Sequence, residues 1–330
     1  MAVLGSGGWG TALAVHLARL GKPVGLWGRE PSLVAEMSAR RENRRYLRGV
    51  SLPPGVEPTT SLGSALGGAR YVVAAVPSHG VREVLRRAAP SVPPQAIIVS
   101  AAKGIEEGTL LRMSEVIEQE LGTARPVTVL SGPSFAAEVA RGAPTAVLVA
   151  GRASDAVGAV QHEFRSGYFR LYASDDVTGV EVGAALKNVI AIAAGVVDGL
   201  GLGHNATAAL ITRGLAEVSR LAYALGGRRD TLAGLSGLGD LVLTCTGALS
   251  RNRQVGLGLG AGRPLDEVLA GMSAVAEGVR TTGAALALGD RHGVELPIAA
   301  QMAEVLSGRR TPRAALEELM LRRQRSEAEP

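Results

Sequence analysis

Along the first half of the chain, short apolar runs rich in β-branched residues alternate with stretches whose apolar positions recur at helical spacing. The runs at residues 2–4, 24–27, 71–76, 97–101, 127–130 and 145–149 predict strands, with 168–172 as a last one. Between them, residues 11–20, 81–89, 110–121 and 135–141 predict helices, the first ended by Gly21. Such alternation is the signature of a doubly wound α/β domain, a parallel sheet with helices on both faces. After about Asp176 the strand-like runs vanish. Ala/Leu/Val stretches at 180–199, 206–225, 265–270, 281–292, 298–306 and 314–323 predict an all-helical second half. The pattern divides the chain into two domains, 1–176 and 177–330, without an internal repeat.

Composition narrows the function classes. The 330 residues are 46% hydrophobic and 20% charged, a globular rather than a disordered balance. Aromatics make up only 3%, so the cores must be aliphatic and closely packed. A net charge of +5 suits anionic ligands such as phosphates. Nucleic-acid binding would need basic clusters interleaved with stacking aromatics, and these are lacking. The basic runs at 40–45 and 322–325 read as solvated faces or tail, and residues 326–330 as disordered. The single Cys245 cannot close an internal disulfide, which fits a reducing compartment. The most apolar stretch, 189–197, falls short of the roughly 20 residues that a membrane span needs. A glycine-rich loop already at Gly5 leaves no room for a signal peptide, so the expected location is the cytoplasm.

Gly5-Ser6-Gly7-Gly8-Trp9-Gly10 is a G-x-G-x-x-G motif that follows a strand, opens a helix and precedes a second strand. In that setting the pattern binds a dinucleotide. Gly5 permits the tight turn, Gly7 lets a pyrophosphate approach the backbone, and Gly10 allows helix and strand to pack closely. The helix N-terminus supplies N–H donors and a positive dipole. Residues 1–176 are therefore a Rossmann-type domain. The segment Trp27-Gly28-Arg29-Glu30 should select the cofactor. An acidic residue there would hold a ribose 2′-hydroxyl, whereas the guanidinium of Arg29 can pair with a 2′-phosphate. NADP(H) is favoured, and Glu30 keeps NAD(H) open. Pro77 ends a strand facing the crevice, and His79 has nothing to orient it as a base.

Of 35 basic residues only Lys22, Lys103 and Lys187 are lysines. Positions that need only positive charge have gone to Arg, so the lysines that remain are informative. Lys187 sits in Ala185-Leu186-Lys187-Asn188-Val189-Ile190, apolar on every helical face. Burial pushes a lysine pKa toward the range where it exchanges protons, which Arg cannot do. The alternative is a lysine snorkelling from a helix edge. Lys103 follows a strand directly, which places it at the carboxyl edge of the sheet.

In these segments and others, the chain resembles the bacterial-type NAD(P)-dependent glycerol-3-phosphate dehydrogenases along nearly its whole length. Further segments that carry the resemblance are Ala102-Lys103-Gly104, Ser131-Gly132-Pro133-Ser134-Phe135-Ala136, Gly237-Leu238-Gly239-Asp240-Leu241, Ser250-Arg251-Asn252-Arg253 and Glu277-Gly278. The resemblance implies reduction of dihydroxyacetone phosphate to sn-glycerol 3-phosphate, which supplies the glycerophospholipid backbone. It implies Lys187 as proton donor or acceptor and Lys103 in contact with cofactor and substrate. Asp240 with Ser250, Arg251 and Asn252 would form the substrate site beside Lys187 and Asn188, and Gly132 and Ser134 a substrate-contacting turn. Besides Gly5, Gly7, Gly8, Trp9, Gly10 and Arg29, the residues Ala136, Arg251, Val275 and Glu277 would reach the cofactor. No metal is called for, and a homodimer is implied. Gly8 stands where the family commonly has Ser. For Asp240 alone, a helix N-cap after Gly239 would be the simpler reading.

Two other readings share the observations. One is a β-hydroxyacid or phosphogluconate dehydrogenase of the same architecture, which lacks the Gly-Leu-Gly-Asp-Leu and Ser-Arg-Asn pair. The other is a non-catalytic nicotinamide-binding regulator, which has no use for a buried lysine.

Overall fold

The computed structural model describes residues 1–272, 275–323 and 326. The expectations for residues 324–325 and 327–330 therefore lie outside the described residues. The chain forms two compact units, one of Met1–Lys103 with Leu111–Val177, the other of Gly104–Leu110 with the chain from Thr178 onward.

The first unit is built on eight strands: β1 (Ala2–Leu4), β2 (Val24–Trp27), β3 (Val56–Thr59), β4 (Tyr71–Ala74), β5 (Ile97–Ser100), β6 (Val127–Ser131), β7 (Thr145–Gly151) and β8 (Phe169–Ser174). They lie in the order β3-β2-β1-β4-β5-β6-β7-β8. Seven helices accompany them: α1 (Gly8–Arg19), α2 (Pro31–Arg40), α3 (Leu62–Leu66), α4 (Val81–Ala88), α5 (Met113–Leu121), α6 (Ala136–Arg141) and α7 (Ser154–Phe164). Alternate residues of the central strands serve two cores. Val3, Val73 and Val99 pack with Leu13 and Phe164 on one face. Leu4, Val72 and Ile98 pack with Leu66, Leu85 and Ile117 on the other. This period of two is what a doubly wound sheet requires.

The sheet departs from the expected parallel order at one place. β7 runs antiparallel to β6, with Leu130 opposite Val149, and β8 then pairs parallel to β7. The six-residue α6 lies in the connection between these two antiparallel strands. β3, α2, α3 and α7 are absent from the pattern read in the sequence. β3 contains Pro58 and a single buried residue, so it has no apolar alternation to read. The helix expected at 110–121 begins only at Met113. Leu110 is left-handed at φ 63°, and the Arg112 backbone N–H donates to Glu115 at 2.9 Å in a capping arrangement.

The second unit is helical: α8 (Val177–Gly199), α9 (Gly203–Ala224), α10 (Arg229–Ala233), α11 (Asp240–Thr246), α12 (Arg251–Gly260), α13 (Leu265–Ala270), α14 (Glu277–His292), α15 (Pro297–Leu306) and α16 (Pro312–Met320). α8 is its axis, packed against Val218, Leu221, Leu241, Val255 and Leu288. At 23 residues, with a most apolar window of mean hydropathy 1.7, α8 is longer than the apolar stretch seen in the sequence and could cross a membrane by length and composition. Its most apolar window is wholly buried inside the protein, as in a core helix.

Glu217 on α9 shows how this unit accommodates a buried charge. Its carboxylate accepts from Ile298 N at 2.9 Å and Ala299 N at 3.3 Å, the first available donors of α15 after Pro297. Burial nevertheless pushes its pKa up to about 7. The folded protein thus holds a proton that the unfolded chain releases above its ordinary value near 4.5. The contribution of Glu217 to stability is therefore greatest below pH 4.5 and declines as pH rises to about 7. Thermal melts at pH 5 and pH 8 should show Glu217→Gln gaining relative to the native protein at the higher pH. An equal difference at both would contradict this.

Candidate active site

In the first unit the glycine-rich loop joins β1 to α1. Gly5 lies at φ 119°, and a Cβ there would stand 2.7 Å from the Ala75 carbonyl oxygen. A methyl on Gly10 would strike the Gly5 carbonyl, so α1 can sit this close to β1 only with glycine. Gly7 faces open space and caps α1 without any side-chain bond, which leaves the first-turn N–H groups to an external acceptor. The indole N–H of Trp9 is buried without a partner. An open anion cradle beside an orphaned donor fits a dinucleotide. Gly8 has its own reason: a Cβ there would lie 2.8 Å from the Tyr46 carbonyl. A serine at this position would require that segment to shift.

Asn43 supports the loop from below. Fully buried, it donates from Nδ2 to the Ser6 carbonyl and to Thr11 Oγ1, each at 2.8 Å, and accepts from Tyr46 N at 3.1 Å. Sequence reading passed over it because it lies within a run of arginines. Gly28 is buried at the end of β2, while Arg29 is exposed. The Glu30 carboxylate is engaged by Arg45 at 2.7 Å and Ser32 Oγ at 3.0 Å, and Arg45 also covers the Tyr46 ring. His79 is exposed in the turn after Pro77.

At the carboxyl edge of the sheet, Lys103 lies three residues past β5 and donates from Nζ to the Gly132 carbonyl at 3.0 Å. Ser134 Oγ donates to the same oxygen at 2.9 Å. The turn after β6 thus gathers Lys103, Gly132 and Ser134, and Ala136 opens the helix that follows. Ser100 and Ser131, at the ends of β5 and β6, have buried hydroxyls without a partner.

The second unit holds the other cluster. Lys187 lies midway along α8 and is 6% exposed, which excludes a snorkelling lysine. Its Nζ donates to Asp240 Oδ1 at 2.7 Å and to Thr244 Oγ1 at 2.8 Å. Asp240 is the first residue of α11, directly after a π-helical turn at Leu235–Gly239 that runs into it, and its side chain goes to Lys187 rather than to a cap. The Thr244 hydroxyl donates back to the Asp240 carbonyl at 2.6 Å, so a lone pair faces the ammonium. Thr244 was quoted in no role by sequence reasoning, though its spacing of four from Asp240 puts both on one helical face.

Asn188, next on α8, accepts through Oδ1 from Asn252 Nδ2 at 2.8 Å, and Asn252 Oδ1 accepts from Gly278 N at 2.9 Å. These two bonds join α8, α12 and the start of α14. Ser250 caps α12 by accepting from Arg253 N at 3.2 Å. Arg251 is the exposed first residue of that helix. Glu277 opens α14, and Val275 just before it is exposed. Each unit thus collects its own predicted residues: the loop and the Lys103 turn in one, Lys187 with Asn188, Asp240, Ser250 and Asn252 in the other. The second arrangement can present a proton from a fixed ammonium and an anion-binding helix start to one small molecule.

Comparison with known proteins places the chain in a family. The family described as NAD-dependent glycerol-3-phosphate dehydrogenase matches through its N-terminal part at residues 1–157 and its C-terminal part at residues 176–317. The glycerol-3-phosphate dehydrogenase (NAD(P)+) of Acidobacterium capsulatum is 54% identical over 276 residues, 82% of each chain. That of Koribacter versatilis is 53% identical over 273 residues, 82% of this chain and 81% of the relative. The crystal structure of glycerol-3-phosphate dehydrogenase from Coxiella burnetii superposes with a TM-score of 0.94 at 42% identity, covering 97% of this chain and 98% of that one.

Cys245 neighbours this cluster on α11. It is fully buried, and burial pushes its thiol up to about 12. It should not react with a thiol reagent at pH 8 until the protein is unfolded. Stoichiometric labelling of the native chain within minutes would contradict that burial.

Proposed function

Because the chain belongs to the NAD-dependent glycerol-3-phosphate dehydrogenase family, we propose that it reduces dihydroxyacetone phosphate reversibly to sn-glycerol 3-phosphate with NAD(P)H. The observation that carries the chemistry is the buried Lys187 ammonium held by Asp240 and Thr244. When bound, the nicotinamide supplies the hydride for the carbonyl carbon. Lys187 gives a proton to the carbonyl oxygen, and takes it back in the reverse direction. Asp240 and Thr244 fix Nζ, so the proton is delivered from one position.

The other residues take roles that their chemistry supports. Arg251 and the N-terminal N–H groups of α12, capped by Ser250, bind the substrate phosphate, with Asn252 and Asn188 alongside. Lys103, Gly132 and Ser134 form the substrate-contacting turn after β6. Gly5, Gly7, Gly8, Trp9 and Gly10 hold the pyrophosphate, and Ala136, Val275 and Glu277 also serve the cofactor. Residues 1–176 bind the dinucleotide and 177–330 carry substrate and catalysis.

NADPH is the preferred reductant in this proposal. Arg29 is exposed and free to meet a 2′-phosphate, whereas the competing Glu30 is engaged by Arg45 and Ser32. The product feeds glycerophospholipid synthesis in the cytoplasm, and the enzyme works as a homodimer.

Purified protein should oxidise NADPH with dihydroxyacetone phosphate but not with a simple ketoacid. The opposite preference would point to a β-hydroxyacid dehydrogenase. Arg29→Ala should weaken NADPH binding roughly tenfold to a hundredfold, the worth of a charge-assisted bond, and leave NADH nearly unchanged. Equal losses for both cofactors would remove the 2′-phosphate argument.

A further inference from the structure

α8 and α12 approach each other more closely than side chains ordinarily allow. Asn188 meets Asn252, Ile192 meets Gly256 and Val196 meets Gly260, three contacts with the same offset along the two helices. The helices therefore run side by side in one direction, and Lys187 and Arg251 each stand one residue before the first pair. A Cβ on Gly195 would lie 2.7 Å from Leu257 N, and one on Gly256 would lie 2.8 Å from Val196 N. The backbones are in direct contact, so the spacing between the helices is fixed by glycine.

Contact between smooth backbones resists approach but not sliding. Two polar links supply what it lacks. At one end stands the Asn188–Asn252 bond. Further along α8, Asp198 Oδ2 accepts from both Nε and Nη2 of Arg253 at 2.8 Å each. Both side chains are about a quarter exposed, 22% and 28%, so the pair is partly shielded from water. Arg253 sits in the same first turn as Arg251, and its backbone N–H is bound by the Ser250 cap. The guanidinium thus reaches along the crossing from the phosphate-binding turn to the far end of the lysine helix.

We propose that the Asp198–Arg253 ion pair is a brace that fixes the distance between Lys187 and Arg251, and hence the length of substrate the site accepts. Both are positioning residues, and the inference rests on the roles proposed above for Lys187 at the carbonyl and Arg251 at the phosphate. A brace of this kind matters only to a substrate gripped at both ends. Dihydroxyacetone has the same carbonyl but no phosphate, and gains nothing from the spacing.

The test compares kcat/KM for dihydroxyacetone phosphate and for dihydroxyacetone, with NADPH, in the native enzyme and in Asp198→Asn. The brace predicts a loss of about tenfold for the phosphorylated substrate and less than about twofold for the unphosphorylated one, the selectivity of a lost alignment. Arg253→Lys, which keeps the charge but loses the fork, should show the same selective loss should Asp198→Asn fail to fold. Asp198→Glu should restore most of the preference. Equal losses on both substrates would mark the pair as merely structural and overturn the brace, as would no loss on either. A native enzyme that does not prefer the phosphorylated substrate would instead overturn the proposed function, and the brace with it.

Discussion

A lysine in the middle of an apolar helix is tolerable only when its charge is matched on the spot. Removing an ammonium and a carboxylate from water costs several kcal/mol for each ion, and only close geometry with further hydrogen bonds offsets it. Lys187 and Asp240 meet at 2.7 Å, with Thr244 as a second acceptor. The rest of the helical unit can be understood from that requirement. Asp240 must stand where the π-helical turn of Leu235–Gly239 passes into α11, so that its carboxylate meets the ammonium. Thr244 must follow one helical turn on. α8 must be buried on all sides to exclude water, which is why a helix apolar enough for a membrane lies inside a bundle. A buried pair of this kind is weak evidence for stability, since its desolvation offsets most of its attraction.

The same economy governs how α8 meets α12. A lysine fixed on one helix is useful for a two-ended substrate only if the groups for the other end are equally fixed. Glycines at the crossing bring the helices into backbone contact, and the Asn188–Asn252 bond ties the turn that holds Arg251 to the turn that holds Lys187. The sheet unit applies a related solution at Gly5 and Gly10, where the absence of side chains lets α1 rest on β1 and leaves its N-terminus open.

Much of this was legible before any coordinates. The alternation of apolar runs specified the doubly wound domain, and its disappearance after Asp176 specified the helical one. The shortage of lysine singled out Lys187 and Lys103 without any comparison. What could not be read depended on neighbours distant in sequence. Asn43 looks like part of a solvated arginine run, yet two bonds beneath the glycine loop bury it completely. β3 has no alternation because only Val56 faces the core. The reversal at β7 is a matter of which strand direction pairs with β6, which the apolar pattern of a single run does not carry. Thr244 and Asp198 matter through partners 57 and 55 residues away.

The role proposed for Lys187 as the group that moves the proton is open to one direct measurement. In a single-turnover experiment with saturating NADPH and dihydroxyacetone phosphate, the hydride-transfer rate of Lys187→Arg is compared with that of the native enzyme. Arginine keeps the charge beside Asp240 but cannot surrender a proton, so the rate should fall by roughly 10²–10⁴ while NADPH still binds. A rate within a few-fold of native would contradict the account.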